Sequence, residues 1–268
     1  MKNYLICGNG NIGHHVLDEF SPIAREFAIY DRYCKSKYEY QDYLGDKKIL
    51  KKHYDIAFIC VPTEMKEDGS CDISEVKWIY KRLDADVVVI KSAIPVGTAR
   101  KLYNSIDSDN KRPTIVVSPE FYGTTQHSEK HPNFLILGSE YGSADPVVQL
   151  YQRVKDASFK FIFTDWQTAE LTKYMENCWI ATKVTFCNEF ATIAKALGVD
   201  YCKLRECWLA DPRVSPSHTF VYNDTPYYDS HCLNKDIPAL ISFTGHLSPL
   251  MQAVNKINKE RKEENKTS

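Results

Sequence analysis

No stretch of this chain approaches the roughly 20 consecutive apolar residues that a bilayer-spanning helix needs. Nor does the start, Met-Lys-Asn-Tyr-Leu-Ile-Cys-Gly, contain a separate apolar signal core, since it enters a β-rich run at once. A membrane partner is therefore not expected. An excess of one charge is lacking too. The 34 Lys and Arg against 35 Asp and Glu give a formal net charge of -1, with no positive surplus to hold phosphates, so nucleic acid is not expected either. Paired cysteine spacing is absent. The nine cysteines, an odd number, are scattered, and Cys7 and Cys60 sit inside apolar runs where a reduced thiol packs as a small hydrophobe. Cys202 and Cys207 lack the spacing of a zinc site and read as packing residues. Together these point to a reducing, cytoplasmic setting. His127 and His131 are spaced for one helical face, but Pro132 and a loop-like setting argue against a metal there, and no metal is expected. There is no internal repeat and no low-complexity linker.

What is present is alternation. Short apolar, β-rich runs at 4–7, 26–30, 56–60, 87–91 and 114–117 are separated by helical stretches, and 134–137 and 159–163 continue the series. Such runs read as buried strands of a parallel sheet covered on both faces. The pattern then changes. Residues 168–197 contain no Gly or Pro and carry Leu171, Met175, Cys178, Ile180, Ala181, Val184, Phe190 and Ile193 at helical spacing, with Gly198 as the C-cap. A helix this long suits a linking or dimer-forming role. An irregular polar stretch at 211–235 precedes a last helix at about 237–258, and the polar residues 259–268 are expected to fray.

Gly8-Asn9-Gly10-Asn11-Ile12-Gly13 follows the first run and opens a helical stretch. In that setting the first glycine permits a tight turn, the second lets backbone approach a pyrophosphate, and the third lets helix and strand pack closely. Asp31 closes the next apolar run, where a carboxylate would accept the hydroxyls of an adenosine ribose. That carboxylate repels a 2′-phosphate and favours NAD over NADP, although the neighbouring Arg32 pulls the other way. The expected fold is α/β: a Rossmann-type doubly wound parallel sheet over residues 1–164, then a mainly α-helical domain around a long central helix over 165–258, and the tail 259–268.

Two further groups carry chemistry. Lys173 and Asn177 lie four residues apart on one face of the long helix, where a lysine and an amide can hold an oxygen whose charge changes during hydride transfer. Alone, such a pair also describes an ordinary exposed helix surface. His231-Cys232-Leu233-Asn234-Lys235-Asp236 brings a thiol, a cation and a carboxylate within a turn or two. A nearby lysine favours the nucleophilic thiolate, whereas a single cysteine read by itself is as compatible with an inert one.

Taken in order, these segments cease to be independent. Gly8 to Gly13 is followed by Cys60-Val61-Pro62-Thr63, then Asp68-Gly69-Ser70-Cys71-Asp72-Ile73, Lys91-Ser92-Ala93-Ile94-Pro95-Val96-Gly97-Thr98 and Ser118-Pro119-Glu120-Phe121. The long helix through Asn188-Glu189, then Asp211-Pro212-Arg213-Val214 and Cys232-Leu233-Asn234-Lys235-Asp236, complete the series. In this collinear set the chain resembles the UDP-glucose/GDP-mannose (nucleotide-sugar) dehydrogenase family. The resemblance implies a four-electron, NAD-dependent oxidation of a sugar nucleotide's primary alcohol through a cysteine thiohemiacetal and thioester. By position it makes Cys232 the nucleophile and gives the reacting oxygen to Lys173 and Asn177. Asp236 would assist proton transfer, and Glu120 would act as acid and base in thioester hydrolysis. Gly8, Gly10, Asn11, Ile12, Gly13, Asp31, Val61, Pro62, Thr63, Ser92 and Lys235 are placed at the cofactor, and a homodimer through the long helix is implied.

The sequence also departs from that family. Ala93 stands where a threonine is usual, and 122–125 lacks the second acidic residue expected after Glu120. Pro226-Tyr227-Tyr228-Asp229-Ser230-His231 replaces a glycine-rich approach to the cysteine, and tyrosines do not permit the same close backbone approach. The family's second Rossmann domain, which binds the nucleotide of the substrate, has no counterpart in these residues. Two other readings stay open: a repurposed, non-catalytic protein keeping the fold for assembly or binding, and a two-electron hydroxyacid dehydrogenase in which Cys232 is incidental.

Overall fold

The structure is a computed structural model that describes residues 3–32, 46–107, 111–121, 132–140 and 142–267. His127, His131 and the 122–125 segment lie outside the described residues. Seven strands form one sheet: β1 (Tyr4–Cys7), β2 (Phe27–Tyr30), β3 (His53–Ile59), β4 (Asp84–Ile90), β5 (Thr114–Val117), β6 (Phe134–Gly138) and β7 (Lys160–Thr164). Their order is β2-β1-β3-β4-β5-β6-β7, parallel throughout except for the antiparallel β5–β6 pair. Between them lie α1 (Asn11–Glu19), α2 (Ser74–Tyr80), α3 (Thr98–Tyr103) and α4 (Asp145–Gln152).

Strand alternation sorts the core into two faces. Leu5, Cys7, Ala28, Tyr30, Ala57, Ile59, Val88 and Ile90 pack in one apolar cluster. Ile6, Phe27, Ile29, Phe58, Cys60, Val87 and Val89 pack in the other. The sheet is thus covered on both sides, as continuous apolar strands require. Cys7 and Cys60 fall on opposite faces, each buried, and the described cysteines are all free thiols. Register places Cys7 beside Tyr30 on one side and Ile59 on the other. The chain leaves β1 for β2 and then crosses to β3 on the opposite flank, so the ends of β1 and β3 form the switch point where open α/β sheets bind ligands.

β7 departs from the sequence expectation of a buried strand. It is an edge strand, and Phe163 remains 61% exposed. Nothing in a five-residue apolar run distinguishes an edge from a centre, because position in the sheet is a tertiary property.

The chain divides into two compact units. The first runs to Glu64, resumes at Asp72 and ends at Lys173; the second takes Met65–Cys71 and everything from Tyr174. The division therefore falls inside α5 (Trp166–Ala196) rather than at 164/165. That helix starts at Asp165, whose carboxylate accepts the Thr168 amide at 2.8 Å and hydroxyl at 2.6 Å. It is seated by Trp166, fully buried, which donates to the Ile115 carbonyl at 2.9 Å. It ends where Gly198 turns left-handed (φ 70°) and the Val199 amide returns to the Ala194 carbonyl. In the second unit follow α6 (Tyr201–Leu209), α7 (His231–Thr244) and α8 (Pro249–Thr267). Cys178 and Ala181 of α5, Leu233 and Ile237 of α7, and Met251 and Val254 of α8 form one core cluster.

Three expectations are corrected here. Helix α7 begins at His231, not near 237, because the Ser230 hydroxyl caps it by accepting the Leu233 amide at 3.2 Å. Cys232 therefore sits in a first helical turn instead of a loop. The polar end does not fray but continues α8 to Thr267. Its polar side chains are anchors: buried Asn258 bonds both backbone groups of Tyr228, Lys262 pairs with Asp229, and Asn265 donates to the Asp224 carbonyl. Cys202 and Cys207, read as packing residues, are exposed on α6.

Candidate cofactor cleft and cysteine cluster

The loop between β1 and α1 is held by backbone geometry that excludes side chains. Gly8 has φ 102°, and a Cβ there would lie 2.8 Å from the Cys60 carbonyl. A Cβ on Gly13 would meet the Gly8 oxygen at 1.9 Å, so helix and turn pack at a distance only glycine allows. Gly10 caps α1 without a side-chain bond and has open space around its Cα. The amides of Asn11, Ile12 and Gly13 thus begin a helix whose positive end is not satisfied by its own cap. Asp31 accepts the Asn9 amide at 2.6 Å and so is tied to the same loop.

Beside that loop opens a cleft of about 240 Å³ lined by Gly8, Tyr30, Asp31, Arg32, Val61, Pro62, Glu64, Asp72, Ser74 and Glu75. Glycine turn, ribose-side carboxylate and open cleft fit a dinucleotide. Arg32, which could have answered a 2′-phosphate, lies 3.4 Å from the Glu75 carboxylate and 5.7 Å from the Trp78 ring. Among the described residues, four carboxylates against one guanidinium make the cleft a poor place for an extra phosphate.

Two residues expected at the cofactor also do structural work. The Ser92 hydroxyl donates to the Val61 carbonyl at 2.7 Å and the Thr63 hydroxyl to the Ala93 carbonyl at 2.8 Å, lacing the ends of β3 and β4 together. The loop after β4 is fastened again by buried Glu170 on α5, whose carboxylate accepts the Gly97 and Ala99 amides at 2.5 and 2.8 Å. Burial pushes the Glu170 carboxyl up to about 7, against the pull of those amides. Because the folded-state value lies above the unfolded one, the folded chain binds the extra proton between about pH 4.5 and 7. Stability from this group is fully present below that window and falls as pH rises through it, by up to about 3 kcal/mol. Urea unfolding from pH 5 to 8 should therefore show a flatter pH dependence in Glu170→Gln than in the wild type.

Glu120 occupies a setting the sequence did not reveal. Its carboxylate lies 3.1 Å from the Lys91 ammonium and 3.2 Å from His15 Nδ1, with all three side chains buried. Burial would raise the Glu120 carboxyl, but Lys91 and His15 hold it well below the usual carboxylate range. A carboxylate so held is a poor proton donor near neutrality. His15 is on α1 and Lys91 at the end of β4, so the triad joins the cofactor helix to the sheet.

In the second unit, Asp236 is buried on α7 one turn beyond Cys232. It accepts the Asn177 amide at 2.6 Å and the Lys235 ammonium at 2.6 Å. Lys235, expected at the cofactor, is thus engaged by its neighbour. Cys232 is exposed. The segment before it is strapped to α8 through Tyr228 and Asp229, as described above, and Asn234 adds a bond to Asp229 at 2.8 Å. Lys173, one turn before Asn177 on α5, belongs to the first unit and lies 4.9 Å over the Phe121 ring. Of the lining groups, Tyr30, Glu64, Asp72, Ser74 and Glu75 were not singled out from sequence. Only the Asp68-to-Ile73 motif hinted that this stretch mattered.

Comparison with known proteins follows the same line. The NAD binding domain of the UDP-glucose/GDP-mannose dehydrogenase family matches residues 35–155, and that family's central domain matches 167–260. The UDP-glucose 6-dehydrogenase of Pseudomonas aeruginosa is 32% identical over 226 residues, 78% of this chain and 49% of that protein. The Rickettsia bellii UDP-glucose 6-dehydrogenase is 29% identical over 78% of this chain and 50% of its own length. The chain thus spans about half the length of these relatives. A UDP-glucose dehydrogenase structure from Pyrobaculum islandicum superimposes with a TM-score of 0.79 at 21% identity, over 97% of this chain and 68% of that one. No helix among the described residues is long and apolar enough to cross a membrane.

Proposed function

The chain belongs to the UDP-glucose/GDP-mannose dehydrogenase family, an oxidoreductase family whose cofactor is NAD, and from that premise we propose that it oxidises the primary alcohol of a sugar nucleotide, or of a related compound, to the acid. The observation that carries this reading is the Cys232–Asp236–Asn177 arrangement: a thiol in the first turn of α7, a buried carboxylate one turn on, and an amide from α5 bonded to it. NAD, when bound, supplies the hydride acceptor for each of two two-electron oxidations. Glycine geometry at 8–13 and the Asp31 carboxylate hold and orient it.

In this reading Lys173 and the amide of Asn177 hold the substrate oxygen and stabilise its charge as the carbonyl forms. Cys232 sulfur adds to the aldehyde carbon to give a thiohemiacetal, and loss of its hydride gives a thioester. Water then cleaves the C–S bond, releasing the acid and the thiol. Asp236, held by Lys235 and Asn177, keeps the amide aimed and accepts charge in these proton transfers. Glu120 serves as the keystone of the cofactor helix and leaves hydrolysis to other groups. The test is incubation of the pure chain with NAD and a panel of sugar nucleotides, following NADH and the acid. No turnover on any of them defeats the proposal.

A second reading, NAD binding without turnover, is favoured by one observation. The residues before Cys232 are strapped to α8 where a mobile cover over substrate would be needed. NAD binding by calorimetry together with silence in the turnover panel would establish it.

Association is proposed through α5. Leu171, Met175, Trp179, Phe186, Phe190, Ile193 and Leu197 are exposed at spacings of three, four and seven along a single stripe, with Met175 at 74%. A patch this long and apolar on a soluble helix calls for a partner, and a second copy brings the same stripe across a two-fold axis. The chain should sediment as a dimer, and Met175→Lys with Trp179→Lys should shift it to monomer. A monomeric wild type removes the proposal.

A further inference from the structure

Besides Asp31, the cleft wall carries a charge pair that the glycine loop and the ribose contact leave unused. Arg32 and Glu75 both line it, Arg32 just past the end of β2 and Glu75 in the first turn of α2. Both side chains reach solvent, with 46% of Arg32 and 22% of Glu75 exposed. The guanidinium Nη1 donates to Glu75 Oε2 at 3.4 Å, long for a charge-assisted bond, which closes at roughly 2.7–2.9 Å. Among the described residues the other carboxylate oxygen, Oε1, accepts no hydrogen bond. The wall thus sets a cationic donor beside an anionic acceptor, both within reach of a molecule in the cleft. An open, loosely closed ion pair of this kind contributes little to stability, so holding the fold does not account for it.

We propose that Glu75, set beside Arg32, is a specificity-determining residue that reads the base of the cofactor's adenosine and makes the cleft prefer adenine. The proposal rests on the NAD reading of the site and extends it from the ribose to the base. Asp31 is the ribose carboxylate in that reading, and Arg32 is the next residue, so the base joined to that ribose falls to the wall that Arg32 and Glu75 share. An adenine edge places an amino donor beside a ring-nitrogen acceptor. The pair is its complement, because a carboxylate only accepts and a guanidinium only donates. Val61 and Pro62, the apolar members of the lining, give the ring a face to lie against. Hypoxanthine carries a carbonyl oxygen where adenine carries the amino group, so the carboxylate would meet a second acceptor. Rejection then comes from like charge, at no cost in fit to adenine.

The experiment is a binding titration of wild type and Glu75→Gln with NADH, reduced nicotinamide hypoxanthine dinucleotide, ADP-ribose and reduced nicotinamide mononucleotide, together with thermal unfolding of both proteins. The wild type should bind NADH about 10-fold more tightly than the hypoxanthine dinucleotide, the effect of one bond to a charged group. Glutamine's amide donates as well as accepts, so in the variant the two dinucleotides should bind within about 2-fold of each other. The mononucleotide, which has no adenosine, should bind both proteins alike, and the unfolding temperature should not change. A purely structural role for Glu75 would weaken both dinucleotides together and leave their ratio where it was. A wild type without preference for adenine, or a variant that keeps the wild-type ratio, overturns the proposal while leaving the NAD reading standing. A wild type that binds neither NADH nor ADP-ribose overturns both.

Discussion

Cys232→Ala should abolish acid formation by at least about 10³-fold while leaving NAD affinity unchanged. Alanine suits the first turn of α7 as well as cysteine does, and the Ser230 cap and Asp236 bonds do not involve the thiol. The fold should therefore survive, and any loss belongs to chemistry. Without the sulfur the first oxidation still has Lys173 and Asn177, so aldehyde should accumulate with one NADH per substrate in place of two. Mass spectrometry of the products alongside NADH absorbance reads this directly. Undiminished acid in the variant would remove Cys232 from the mechanism and favour a two-electron enzyme.

Glu120→Gln should act in a different way, through stability. The substitution removes the carboxylate bonded to the buried Lys91 ammonium and leaves Glu19, already paired with Lys155, as its acidic neighbour; breaking a buried pair in this way costs about 3–5 kcal/mol. For a chain of this size that corresponds to a fall of roughly 10 °C in the unfolding temperature. Pairing the change with Lys91→Met removes both charges and should restore most of the loss, because the two sites are in contact and their effects do not add. Calorimetry of the three variants measures the coupling. If Glu120→Gln unfolds at the wild-type temperature yet stalls at the thioester, the triad is not structural and Glu120 returns to acid–base work.

Glu120 also shows where a sequence motif stops informing. Ser118-Pro119-Glu120-Phe121 identifies a family position, but a carboxylate's chemistry depends on what surrounds it. Here the surroundings are His15, 105 residues earlier, and Lys91, just past the end of β4. Lys235 and Ser92 teach the same lesson at smaller scale. Each is the right residue type for a cofactor contact, and each has a protein partner that the sequence does not reveal. The end of the chain reverses the usual inference from polarity. Asn258, Lys262 and Asn265 look like solvated tail residues, yet they hold the backbone that leads to the cysteine.

The sequence by itself determined the strands, the glycine turn, Asp31 and the long capped helix, because each depends on local rules: apolar runs, the φ that glycine permits, and helical spacing. It also placed Lys173 and Asn177 on one helical face, since 3.6 residues per turn leaves no choice. Only the tertiary structure decided that β7 is an edge, that Arg32 is answered by Glu75 and that the Glu120 carboxylate lies between Lys91 and His15. Those outcomes depend on which distant residues share a volume, and burial, pairing and charge compensation exist only once the chain has closed on itself.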